Sequence, residues 1–143
     1  CLPLCIVSPS AVNVHQKVFN DVGVFDESLP VCEDYDLWLR VSLKYEIGLL
    51  PEQLIITTGA HSDQLSRNYW SIDRYRVLAL EKILNAELDR QQTELVLDEI
   101  IKKLTILSKG RTKHPELPNI YADKLSDYQK KKEVFLANQK NCH

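Results

Sequence analysis

Methionine is absent from the 143 residues, and the chain opens instead on the apolar run Cys1-Leu-Pro-Leu-Cys-Ile-Val. A complete reading frame starts with methionine, and a secretory signal sets a basic segment ahead of about 7 to 15 apolar residues. Neither is here, so the chain reads as a piece from the C-terminal side of a longer protein. No apolar run approaches the roughly 18 to 20 residues of a membrane span. The four cysteines, Cys1, Cys5, Cys32 and Cys142, form no Cys-x-x-Cys and have no histidine at zinc-finger spacing, which argues against a zinc site. Cys5 and Cys32, in apolar or helix-start contexts, read as reduced thiols of a cytoplasmic protein. Gly-x-Ser-x-Gly is missing too, and Cys32 has no evident histidine partner, so a serine- or cysteine-nucleophile enzyme is poorly supported. Basic residues number 18 against 20 acidic ones, for a net charge of −2. A nucleic-acid binder would show an excess of positive charge, so that class of partner is set aside.

What is present suits a globular protein with a real core: 44% hydrophobic and 27% charged residues in a chain of single-domain length. Its centre of gravity is Phe25 to Arg40, Phe-Asp-Glu-Ser-Leu-Pro-Val-Cys-Glu-Asp-Tyr-Asp-Leu-Trp-Leu-Arg, where five of sixteen residues are acidic. A turn feeds a helix over about Cys32 to Tyr45, with Leu37, Trp38 and Val41 as apolar anchors and Asp36 and Arg40 as an i,i+4 pair that orients the helix. Phe25 is expected to plug the acidic loop down, and Asp26 and Glu27 to bind nearby amides as turn residues. Glu33, Asp34 and Asp36 fall in the first helical turn. Acids there can simply complement the helix dipole, for roughly 0.3 to 1 kcal/mol each, or they can be held by packing while facing a cleft.

Elsewhere, Leu4 to Ser8 reads as a buried strand stopped by Ser8-Pro9-Ser10. Asn13 is placed to cap a helix through Val14, Val18, Phe19 and Val22, closed by Gly23. Glu46 to Leu50 and Gln53 to Thr58 are two short β-prone runs separated by Pro51. A polar loop, Gly59-Ala60-His61-Ser62-Asp63-Gln64-Leu65-Ser66-Arg67, follows, which is a good place for function. The period then turns helical: Ile72, Tyr75, Ala79 and Ile83 form one stripe, and Leu97, Ile100, Ile101, Leu104 and Leu107 another, ended by Gly110. Arg74 and Arg76 read as solvated or salt-bridged. Arg111 to Asn119 reads as a linker, and Ile120 to Lys140 as a lysine-rich helix that could dock on a partner or a lipid surface.

The run Val22-Gly23-Val24-Phe25-Asp26-Glu27, followed by Glu33-Asp34-Tyr35-Asp36-Leu37 and Arg40, resembles the acceptor-side half of family 2 glycosyltransferases of the GT-A fold. The resemblance covers roughly Pro3 to Gly110. It implies an α/β fold class, a partial Rossmann-like sheet followed by a helical C-terminal region, with residues 1–68 as the second half of the catalytic domain. Residues 69–110 would be a helical hairpin packed on it and 111–143 a linker and final helix. It implies Asp34 as the general base of an inverting sugar transfer, Glu33 as its neighbour holding the loop, and His61 as a metal ligand, although Ala60 departs from the family's Gly-Gly-His. Arg67, Asp63 and Trp38 would contact substrate, Arg67 through phosphate oxygens. Mg²⁺ or Mn²⁺ would sit on the diphosphate with its main ligands in the nucleotide-binding half, upstream of this stretch. The implied partners are a nucleotide sugar, foremost a UDP-sugar, and a glycan or lipid-linked acceptor, with the enzyme cytoplasmic at the inner face of the membrane. A glycosidase is excluded by geometry: its two carboxylates flank a bond at about 5 to 9.5 Å from opposite sides, whereas helix neighbours diverge. The competing reading is a non-catalytic, helix-rich interaction module whose acids are caps.

Overall fold

A computed structural model describes residues 1–56, 71–110 and 120–140. The chain forms two compact units, Cys1–Ala79 and Leu80–His143. Among the described residues five α-helices follow in order: α1 Gln16–Val22, α2 Glu33–Ser42, α3 Asp73–Leu84, α4 Arg90–Gly110 and α5 Ile120–Lys140, with a 3-10 turn at Pro9–Ala11 ahead of them.

The expected sheet is not there. Among the described residues no strand forms, and the α/β assignment gives way to an all-helical architecture. β-prone residues become a strand only when a neighbouring strand exchanges ladder hydrogen bonds and covers one face. Leu4 to Ser8 and Glu46 to Ile56 find no such neighbour among the described residues, and their side chains show it: Leu49 is 90% and Ile56 94% exposed.

In the first unit, α1 begins later than the sequence suggests. Its cap is His15 rather than Asn13: His15 has an extended backbone and its Nδ1 accepts from Lys17 N–H at 3.1 Å. Gly23 ends the helix as expected, its N–H donating to Phe19 O at 2.9 Å. It does so at φ 81°, ψ −179°, a conformation nearly closed to residues with a Cβ. An added Cβ would lie 3.5 Å from Arg40 Nη1, ordinary contact, so backbone strain rather than space is the obstacle. Gly23→Ala is therefore expected to destabilise this unit by about 1 to 3 kcal/mol, read as a lowered urea midpoint with an unchanged slope.

The loop into α2 is a side-chain turn: Asp26 Oδ1 accepts from Ser28 N–H at 2.9 Å and Ser28 Oγ at 2.6 Å, while Leu29 N–H reaches Asp26 O at 3.0 Å. Leu29 and Val31 are the residues that pin this loop, both buried, whereas Phe25 is 39% exposed and is no plug. Asp26, polar and at the tip, curls the chain so that the apolar pair behind it turns inward. Helix α2 then buries Tyr35, Leu37, Trp38, Leu39 and Val41. Leu37, Trp38 and Val41 form one cluster with Val18, Phe19 and Val22 of α1, and with Cys5, Val7 and Tyr45. Each large side chain so removed from water contributes about 1.5 to 3 kcal/mol, which is what holds α2 rigidly.

The second unit is a helical assembly closed by a reciprocal cap. Asp89 Oδ1 accepts from Gln92 N–H at 2.8 Å and Gln92 Oε1 from Asp89 N–H at 3.0 Å, satisfying two of the free amides at the start of α4. Val96, Leu97, Ile100, Leu104 and Leu107 line the buried face of α4. Inside that face, Glu99 and Lys103 pair at 3.0 Å with both side chains nearly buried. Glu81 receives Lys124 at 2.8 Å and the Tyr128 hydroxyl at 2.8 Å, tying α5 to the end of α3. Burial, helped by that hydrogen bond, raises the Tyr128 phenol above its ordinary value.

Candidate functional site

Cys32 precedes α2 with φ 65°, the left-handed region, and this sharp bend sets Glu33 and Asp34 at the mouth of the helix. Both carboxylates are half-buried. Asp34 Oδ1 accepts from Tyr35 N–H at 2.6 Å. The next residues anchor the turn: Tyr35, wholly buried, donates its hydroxyl to Leu2 O at 2.6 Å, and Cys32 Sγ approaches Ile72 O at 3.7 Å. Thus the N-terminal segment and the residues leading into α3 are both drawn up to the start of α2.

Two thiols feel the Asp34 charge. Burial, with the Asp34 carboxylate next through charge and a hydrogen bond, pushes the Cys5 thiol from 9.0 up to about 12. Cys32 is pushed to about 11, again by burial first; Arg76 pulls it down, and Asp34, Glu33 and Asp73 add to the rise. Arg76 is the counter-charge: it binds Asp73 at 3.1 Å and its guanidinium lies 5.8 Å from the Tyr35 ring centre. These thiols keep their protons to higher pH in the folded chain than in the unfolded one. Their contribution to stability is therefore complete below pH 9 and is lost as pH rises through 9 toward 11 to 12. Urea unfolding of the chain is expected to show a lower midpoint at pH 10 than at pH 8, and Cys5→Ser to shrink that difference.

The other expected site residues are placed as follows. Trp38 is 2% exposed and belongs to the core cluster; its Nε1 is buried and has no hydrogen-bond partner among the described residues. One edge of it, with Val14, Val41, Tyr45 and Leu50, lines a groove of about 1030 Å³ whose lining does not include Asp34. His61, Asp63 and Arg67 lie outside the described residues, as does the expected linker at 111–119.

Asp34 and Asp36 have the spacing of an Asp-x-Asp motif, a match overlooked where the metal's main ligands are expected upstream and His61 is this chain's ligand. The geometry divides them. Asp36 is completely buried and its Oδ2 accepts from Arg40 Nε at 3.0 Å and pairs with Nη2 at 2.9 Å, so only Asp34 is presented outward. Among the described residues no three His, Cys, Asp or Glu side chains converge on a point where a metal ion could sit. What they do offer is the Asp34 carboxylate, half-buried beside Glu33 in the first turn of a helix whose other side is core.

Sequence reasoning missed Arg76 and Asp73 as neighbours of this site. They stand some forty positions from Cys32, and nothing local in the sequence announces the approach.

No protein-family model and no solved structure matches the chain. Two relatives do. The chain is 32% identical over 68 residues, 46% of its length, to a protein of Rickettsia felis named an uncharacterized glycosyltransferase. It is 39% identical over 51 residues, 36% of its length, to a similarly named protein of Rickettsia conorii. The matched stretches span 11% and 8% of those proteins. At that coarse level the resemblance to glycosyltransferases holds, and it is with proteins so named that this chain shares ancestry over part of its length.

Proposed function

We propose that the chain supplies the acceptor-activating part of a glycosyltransferase, with Asp34 as general base. The observation that carries this is the Asp34 carboxylate itself, half-buried in the first turn of α2 and mounted on a helix whose other side is core. Partial similarity to two proteins named glycosyltransferases supports it. In the proposed reaction Asp34 takes the proton of an acceptor hydroxyl as that oxygen bonds to the anomeric carbon of the donor sugar. The bond from that carbon to the diphosphate breaks on the opposite face, and the nucleoside diphosphate leaves with the electron pair, inverting configuration. Glu33 holds the loop beside it. The reading is of family 2 and GT-A type, with a nucleotide sugar such as a UDP-sugar as donor and a glycan or lipid-linked acceptor, at the cytoplasmic face of a membrane. Mg²⁺ or Mn²⁺ belongs to it, with His61 as this chain's ligand and Arg67 and Asp63 toward substrate.

The test is transfer by the full-length protein carrying Asp34→Asn. Normal turnover by a normally folded variant would sink the assignment. That result would favour the second reading, an interaction module, for which the all-helical described residues and the exposed Leu49, Leu50, Leu54 and Ile56 speak. There Asp34 is a cap only.

A further inference from the structure

Arg40 does more than pair within its own helix. Its Nη1 donates to Val22 O, the last carbonyl-bearing residue of α1, and its Nη2 donates to Val24 O at 2.8 Å. Between those carbonyls lies Gly23, in the conformation that lets both point at one guanidinium. On the other side the same guanidinium holds Asp36 Oδ2, with Asp36 at 0% and Arg40 at 22% side-chain exposure. One planar cation therefore joins three chain segments: the C-terminal end of α1, the start of the loop that leads to the acidic turn, and the first turn of α2. Carbonyls at a helix C-terminus carry partial negative charge and lack intrahelical donors, so a cation there satisfies them directly. The planar, pre-organised fork of a guanidinium serves a carboxylate and two carbonyls at once across a span that a point-like ammonium does not match.

We propose that Asp36 and Arg40 are positioning residues, an ion pair with its carboxylate buried that locks α1 and residues 22–24 onto α2 and thereby fixes where the Asp34 carboxylate stands. The inference rests on Asp34 as the base. The loop from Gly23 to Cys32 is the lever: clamped by Arg40 at one end and pinned by buried Leu29 and Val31 near the other, it delivers the chain to the left-handed bend at Cys32 in one orientation. With the clamp lost, the bend and the carboxylate after it are free to shift.

Cys5 reports on that shift, because its thiol, at 3.5 Å from Val7 O, is held protonated by burial first and by the Asp34 charge next, with Arg76 acting the other way. The experiment measures the native alkylation rate at Cys5, peptide by peptide, in the wild-type chain, Asp34→Asn, Arg40→Lys and the double variant. Arg40→Lys retains a charge opposite Asp36 but cannot span all three partners; Asp36→Asn serves if it fails to fold. Thiolate is the reacting species, so each single variant should alkylate Cys5 several-fold faster, and the double variant no faster than the quicker single one. A wild-type rate in the clamp variant, or effects that multiply in the double variant, overturns the inference. In the full-length protein the clamp variant should lower kcat with KM little changed; full kcat overturns it equally. Normal transfer by Asp34→Asn would instead remove the base assignment, and the thiol rates would still decide whether the clamp places that carboxylate.

Discussion

Asp34→Asn in the full-length protein should lower turnover by a factor on the order of 10² to 10⁴, the share general-base catalysis commonly supplies, while the thermal midpoint barely moves. The asymmetry comes from what the substitution keeps. Asparagine retains an oxygen that can accept from Tyr35 N–H, the contact Asp34 Oδ1 makes at 2.6 Å. It fits the first helical turn as well as aspartate does, and the lost charge–dipole attraction is about 0.3 to 1 kcal/mol. The buried anchors Tyr35, Leu37 and Trp38 are untouched. Asparagine has no lone pair basic enough to take a hydroxyl proton, so the base is gone and the scaffold stays. Transfer rate and thermal melt measured on the same preparation check both halves. A variant that loses stability and keeps its rate marks Asp34 as a cap.

Trp38→Ala is expected to have the opposite profile. Trp38 is almost wholly buried against Leu37, Val41 and the apolar face of α1. Emptying such a site costs about 3 to 5 kcal/mol, since transfer energy and an unfilled cavity add. In a unit of this size that lowers the melting temperature by roughly 10 °C or more. Trp38→Phe fills most of the space and gives up an N–H that has no partner among the described residues, so its loss should be far smaller. Were Trp38 chiefly a substrate contact, Trp38→Ala would raise KM and leave the melt alone. The pair of melts separates the two roles.

Features set by neighbours along the chain were legible in the sequence. The Asp36–Arg40 pair, the apolar triad Leu37, Trp38 and Val41, the Gly23 stop and the Asp26 turn all depend on spacings of four residues or fewer, and all are observed. What depends on distant partners was not legible. A β-prone run carries no record of whether another strand will lie beside it, and Leu4 to Ser8 and Glu46 to Ile56 accordingly stay outside any strand among the described residues. Phe25 looked like an anchor by size, yet the turn set by Asp26 gives that place to Leu29 and Val31. His15 replaces Asn13 as a cap because the backbone is still extended at His15, as it is at Val12, and turns helical only after it. The approach of Asp73 and Arg76 to Cys32 and Tyr35 is a matter of tertiary packing alone.

The bend at Cys32 has a consequence for how this sequence can vary over time. At φ 65° a β-branched side chain clashes with its own backbone. Valine, isoleucine and threonine are therefore barred from position 32 whatever the surrounding core would accept. Glycine, asparagine and aspartate are at ease there, and a small unbranched residue such as cysteine is tolerated. Drift at this position is confined by torsion rather than by chemistry, to a short alphabet that a thiol can leave without harm to the fold.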